Sequence, residues 1–187
     1  MRQTILGLDC SSTTIGWALL SVENKVIKIE KYGNIKPPKK DSCSLVERLD
    51  VVQKEIEQLC IDLNPDHIVI EDILKFMADK TSADTIITLA VFNRSIALQV
   101  YRTTNKLPLF LLPISIRSRL RNFLGLESKI DKEQIPQILQ DYFGKEFFRI
   151  AGYKKRGKFK GQPIIEVYDE SDACAAAWAG AIELELV

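Results

Sequence analysis

Histidine is almost absent from this chain: of 187 residues only His67 carries an imidazole. No nucleophile–histidine pairing is worth defending around that single residue, so acyl transfer by a Ser–His or Cys–His couple is not expected. The four cysteines, Cys10, Cys43, Cys60 and Cys174, form no Cys-x-x-Cys pair. That spacing argues against a zinc site and suits a reducing, cytoplasmic setting, with the thiols as small core residues. No apolar run approaches the ~20 residues a membrane-crossing helix requires, and no apolar leader precedes the first strand pattern, so no membrane partner is expected. A glycine-rich phosphate loop and a Gly-x-Ser-x-Gly elbow are missing too. There is no internal repeat and no interdomain linker, so residues 1–187 are expected to form one domain.

Basic residues are missing from one region in particular. Residues 161–187 carry six acids and no Lys or Arg, whereas residues 94–160 carry 15 basic groups against five acidic ones. The first 93 residues lean slightly acidic, with 14 acids and 11 bases. A basic middle beside an acidic tail suggests a polyanion surface next to a cation site; solvated helix faces would give the same count.

What is present is an alternation of strand and helix patterns. Thr4–Leu8 and Ile15–Leu20 are apolar runs on either side of a Ser/Thr turn, which reads as an antiparallel pair. Lys25–Tyr32 alternates as a third strand, and Gly33 to Ser44 reads as loop. From Ser44 the apolar positions Leu45, Leu49, Val52, Ile56, Leu59 and Leu63 follow a helical period, with Ser44 and Glu47 as a capping box and Asn64-Pro65 as the stop. Ile68-Val69-Ile70-Glu71 is a short buried strand that returns parallel to the first. Ala83 to Thr104 is apolar around nearly its whole circumference, which demands cover on both sides. A homodimer supplies that cover, or the helix is central to the core. Pro108–Pro113 is a fifth strand, Ser115–Leu124 an arginine-bearing segment, and Asp131–Phe143 a helix. Tyr153–Lys160 is a basic loop or hairpin containing Lys154, Lys155, Arg156 and Lys158. An alanine-rich helix follows Tyr168. The fold class is therefore α/β, a mixed five-stranded sheet with three antiparallel strands, then parallel ones, flanked by helices.

Four carboxylates stand out in this frame. Asp9 and Glu71 each close an apolar strand, where open α/β sheets place their ligands. Such a buried acid needs hydrogen bonds or a cation; alternatively Asp9 caps the turn behind it. Asp169 and Asp172 share one face at the start of the last helix, where acids also serve as ordinary caps. If all four converge, their repulsion calls for cations, and an all-oxygen donor set selects Mg²⁺ or Mn²⁺. Two such ions suit phosphodiester hydrolysis without a histidine base. His67 lies ~13 Å from Glu71 along an extended strand and reads as structural.

In this order, Ile-Leu-Gly-Leu-Asp9 with Thr14-Ile-Gly16-Trp17, then Ile-Val-Ile-Glu71, then Asp169-x-x-Asp172-Ala173, the motifs resemble the RuvC family of Holliday junction resolvases. That family belongs to the RNase H-like superfamily. The resemblance implies an RNase H-like fold and a Mg²⁺-dependent endonuclease acting on branched DNA as a homodimer. It implies metal ligation by Asp9, Glu71, Asp169 and Asp172, and places Lys132 near the active site. Arg117 or Arg119 matches a further basic residue, and Phe76 resembles an aromatic that enters the junction. The chain departs from the bacterial pattern in having Cys10-Ser11 where Pro-Gly is usual, and in its more basic 153–160 loop. Other branched or RNA-containing substrates, and a silent nucleic-acid-binding role, remain open alternatives.

Overall fold

The computed structural model describes residues 1–73, 82–144 and 148–187. Three strands, β1 (Gln3–Cys10), β2 (Ile15–Glu23) and β3 (Val26–Ile35), form an antiparallel meander. Helix α1 (Leu45–Leu63) leads into β4 (His67–Glu71), and α2 (Ala83–Thr104) into β5 (Leu109–Leu111). Helix α3 (Pro113–Phe123), a 3-10 turn (Lys132–Gln134) running into α4 (Ile135–Phe143), a small ribbon of β6 (Ile150–Tyr153) and β7 (Pro163–Ile165), and α5 (Tyr168–Glu183) complete the chain. The main sheet has the order β3-β2-β1-β4-β5, with β4 parallel to both β1 and β5. This is the expected mixed five-stranded sheet in an RNase H-like arrangement.

The period-two alternation of β1 explains why both faces of the sheet are covered. Leu6, Leu8 and Cys10 point to one side, where they pack with Ile68 and Ile70 of β4, Val52 and Ile56 of α1, and Phe92 and Ile96 of α2. Ile5 points to the other, where α3, α4 and α5 supply Ile116, Leu139 and the alanines of the last helix. The α1 boundaries follow from local chemistry. The Ser44 hydroxyl accepts from the Glu47 amide, the Glu47 carboxylate accepts from the Ser44 amide at 2.8 Å, and Asn64 ends the helix in a left-handed conformation.

Two expectations need correction. Strand β3 runs on through Gly33, Asn34 and Ile35 because each pairs with β2, Gly33 opposite Trp17 and Ile35 opposite Ile15. Cross-strand pairing here overrides the local loop signal of Gly-Asn. Cys43 is half-buried in a loop, whereas Cys10, Cys60 and Cys174 are buried as expected. Within the chain, α2 is covered on one side only: Phe92, Ile96 and Val100 are buried, while Ile87, Val91, Leu98 and Tyr101 are exposed. His67 sits at the start of β4 with Nε2 3.3 Å from Gln3 Oε1, at the opposite end of the strand from Glu71.

Candidate active site

The parallel register of β1 and β4 decides the position of the first two acids. Gly7 lies opposite Val69, so two residues further along the same face Asp9 comes level with Glu71 at the carboxyl ends of adjacent strands. Neighbouring strands run about 4.8 Å apart. The turn that follows Asp9 is closed by Ser11, whose hydroxyl accepts from the Thr14 amide at 2.9 Å and donates to the Thr14 carbonyl at 2.7 Å. Ser11 therefore does the capping that Asp9 was a candidate for.

Helix α5 adds the other two acids, and glycines set how close it comes. A Cβ on Gly7 would stand 2.1 Å from the Ala173 carbonyl oxygen and 2.8 Å from Ala177 Cβ. On Gly16, the partner of Asp9 across the β1–β2 ladder, it would stand 2.0 Å from the Asp169 carbonyl oxygen. The first turn of α5 thus rests backbone-to-backbone on the strand pair that carries Asp9. The helix has alanines where it meets the sheet, and its outer side is covered by aromatic rings. Trp178 is fully buried with ring centroids 4.2 Å from Tyr142 and 5.7 Å from Phe123. Asn34 secures the same turn by donating to Glu170 at 2.6 Å.

The four carboxylates act on one another. Burial raises the Asp9 carboxyl well above its ordinary range, and the charges of Glu71, Asp172 and Asp169 raise it further. Glu71 is pushed up to about 7, chiefly by burial and then by Asp172, against Lys132 and Arg117. Burial also raises Asp169 and Asp172, with Lys132 opposing in both. Lys132, on the 3-10 turn, places Nζ 2.8 Å from Asp172 Oδ2. Burial alone would lower its pKa, but Asp172, Asp9 and Glu71 more than reverse that, so the ammonium stays charged.

Among the described residues, no group of three or more His, Cys, Asp or Glu side chains forms a ready cage for a metal ion. The acids share a field, with the Lys132 ammonium as their nearest counter-charge. Two observations nevertheless fit a divalent cation. The donor set is oxygen only, which suits a hard ion. The second is burial: Asp172 Oδ2 is buried, and the Lys132 ammonium at 2.8 Å is the one cation in contact with it among the described residues.

The basic candidates divide. Arg117 acts electrostatically on Glu71 and Asp172 and borders a cavity of about 340 Å³ together with Lys132. Arg119, two residues on, is turned away and pairs with Glu183 at 2.6 Å, at the far end of α5 from Asp169 and Asp172. The 153–160 segment connects β6 to β7. Lys158 pairs with Asp131 at 2.6 Å, beside Lys132, and Lys154 and Lys158 both approach the Phe159 ring. Lys155 and Arg156 are exposed. Phe76 lies outside the described residues.

Sequence reasoning missed two residues that hold the site. Asn93, fully buried on α2, donates to the Glu71 carbonyl at 2.8 Å and fixes the end of β4. Arg94 pairs with Asp72 at 2.7 Å and stacks on Phe110. The available signal was a polar Asn on an otherwise apolar helix face.

An α/β sheet with acids at the carboxyl ends of its two central parallel strands, and more acids on a helix laid across them, defines the RNase H-like class. The family model described as crossover junction endodeoxyribonuclease RuvC matches residues 5–140, and the chain belongs to the RuvC family. The match ends before α5, so Asp169 and Asp172 rest on their place in the fold. Crossover junction endodeoxyribonuclease RuvC of Fusobacterium nucleatum is 25% identical over 145 residues, covering 75% of this chain and 68% of that protein. The protein of that name from Orientia tsutsugamushi is 35% identical over 69 residues, 37% of this chain and 42% of the other. In structure, Thermus thermophilus RuvC superposes with a TM-score of 0.68 at 15% identity, over 98% of this chain and 96% of the other. The yeast mitochondrial Holliday junction resolvase gives 0.62 at 16% identity, over 96% and 80%. No described helix is long and apolar enough to cross a membrane.

Proposed function

We propose that this chain, as one domain over residues 1–187, is a metal-dependent, structure-selective DNA endonuclease that resolves four-way junctions by phosphodiester hydrolysis. The observation that carries the reading is geometric: the β1–β4 register sets Asp9 level with Glu71, α5 rests on Gly7 and Gly16 beside them, and Lys132 lies 2.8 Å from Asp172. It is supported by relatives named as crossover junction endodeoxyribonucleases and by a T. thermophilus homologue with a TM-score of 0.69, at 12% identity, solved with a Holliday junction substrate.

In this reading the four acids hold Mg²⁺ or Mn²⁺, two ions per site. When bound, the ions supply an acidified water and positive charge against a phosphodiester. The chain's own groups do the rest. Asp9 and Glu71 are held rigidly by the sheet, and Asn93 keeps the end of β4 in place. Lys132 keeps a positive charge beside Asp172 and faces where a scissile phosphate would lie. Arg117 and the exposed Lys155 and Arg156 attract the DNA backbone, with Lys154 and Lys158 shaping the ribbon. The uncovered stripe of Ile87, Val91, Leu98 and Tyr101 on α2 is read as the homodimer surface. A two-fold dimer presents two identical sites, one for each of two symmetric strands. The free thiols suit the reducing cytoplasm.

The test is Asp9→Asn. Cleavage of a four-way junction in Mg²⁺ should disappear while junction binding persists; cleavage that persists would overturn the reading. Side-by-side cleavage of junctions, flaps and RNA–DNA hybrids by the native chain separates a resolvase from a nuclease of broader substrate range.

A further inference from the structure

Arg48 occupies an inward position in the first turn of α1, three residues after Leu45, where the helical period calls for an apolar residue. It is 5% exposed. Its Nε donates to the Pro38 carbonyl at 2.8 Å, Nη2 donates to the Ser12 carbonyl, and the guanidinium lies 5.1 Å from the Phe92 ring centroid. The remaining nitrogen, Nη1, donates to nothing among the described residues, and no carboxylate among them pairs with the charge. Nη1 is not among the buried unpartnered atoms, so the guanidinium keeps donors open toward the adjoining cleft.

The side chain forms part of the wall of a cleft of about 580 Å³. Ser12 and Thr13, from the turn that follows β1, line the same cleft, as do Lys39 and Lys40. Asp41 and Asp84 also border it, but Lys40 and Asp84 lie 3.8 Å apart as a pair. Lys39 is exposed and, like Arg48, has no carboxylate partner among the described residues. The cleft opens at the carboxyl edge of the sheet, on the α1–α2 side, whereas the four acids lie on the α5 side of that edge.

We infer that this cleft is a second backbone-phosphate subsite for the DNA strand that reaches the four acids, with Arg48 and Lys39 as its cations and the Ser12–Thr13 turn as its hydrogen-bonding rim. The inference rests on the proposed nuclease reading and extends it across the sheet edge from the Lys132 side. A guanidinium fixed by two carbonyls presents its free donors in a set direction, which suits a phosphate oxygen. A strand seated there would be held on both sides of the acids. The charge of the first 93 residues gives no hint of it, because their balance is acidic.

The experiment is equilibrium binding of a four-way junction, and of a linear duplex of the same sequence, across a salt series without divalent ions. Lys39→Ala should flatten the dependence of log affinity on log salt by about one. Arg48→Gln should do the same, with thermal unfolding followed in parallel. Because Lys39 is exposed, its variant keeps the inference testable should Arg48→Gln unfold. Lys25→Ala, which removes the same charge from the β2–β3 turn at the opposite end of the sheet, should leave the slope as it was. An unchanged slope in Lys39→Ala overturns the subsite, and so does an equal change in Lys25→Ala, which would mean bulk charge alone. If the native chain binds neither DNA, the nuclease reading itself fails, which is a different result.

Discussion

Helices α2 and α5 are both apolar around most of their circumference, yet the fold treats them oppositely. Every residue of α5 from Ser171 to Ala181 is buried, between the sheet on one side and α3 and α4 on the other. Helix α2 buries Phe92, Ile96 and Val100 but leaves Ile87 61% and Leu98 45% exposed. The difference lies in side-chain size. Alanines and the facing Gly7 and Gly16 let α5 sink until its backbone touches the strands. The larger residues of α2 fill one interface and stand clear on the other side. Close approach serves precision in α5, because its first turn must deliver Asp169 and Asp172 to within the field of Asp9. A raised apolar stripe on α2 is left in solvent, the kind of patch that the proposed homodimer would cover.

The largest expected effect breaks the α5 side of this contrast. Asp172→Asn removes the buried acid nearest Lys132 and should lower junction cleavage by roughly 10²–10³-fold, the usual scale for an electrostatic catalytic group. Single-turnover cleavage in Mg²⁺ reads it. Gly16→Val forces a side chain against the Asp169 carbonyl and should cost about 3 kcal/mol as overpacking, measured by denaturant unfolding, with loss of cleavage as α5 shifts. An unchanged midpoint would mean that the helix seat yields freely.

The pH dependence of stability sharpens the same comparison. Glu71 binds its proton more tightly in the folded chain, with its pKa moved from 4.5 to about 7. That contribution is present in full below pH 4.5 and is lost as pH rises toward 7, up to about 3 kcal/mol. Unfolding of the metal-free protein followed from pH 5 to 8 should show the decline, and added Mg²⁺ should flatten it. Glu71→Gln should flatten it too. The smallest effect falls on α2. Val91→Asp with Leu98→Asp should change monomer stability by only about 0.5 kcal/mol, since both sites are exposed. The same pair should convert a dimer to a monomer in light scattering; a dimer that persists would place the interface elsewhere.

Legibility followed distance along the chain. Asp9 and Glu71 could be read because each closes its own apolar run, and Asp169 and Asp172 because three residues bring them onto one helix face. Lys132 was legible only through the family resemblance; in the structure the turn that carries it is closed by the Gln134 side chain accepting from the Asp131 amide at 2.8 Å. Arg117 and Arg119 could not be told apart, since both lie on one short helix. Their fates depend on Glu183, which lies 64 residues beyond Arg119 and captures it. Asn93 and Arg48 each break the apolar face of a helix, but what they hold could not be read, because their partners are backbone carbonyls distant in the chain.

The sequence by itself determined which residues could take part: the order of four acids, the strand and helix periods around them, and a chemistry without histidine. The tertiary structure alone decided which of them meet. The β1–β4 register brings Asp9 level with Glu71, and two glycines let α5 press its acids toward them. The same packing gives Lys132 to Asp172 and sends Arg119 to the other end of the helix. The physical reason is that periodicity is a local property, whereas the field at Asp9 comes from Glu71, Asp172, Asp169 and Lys132, which are distant in the chain and adjacent only after packing.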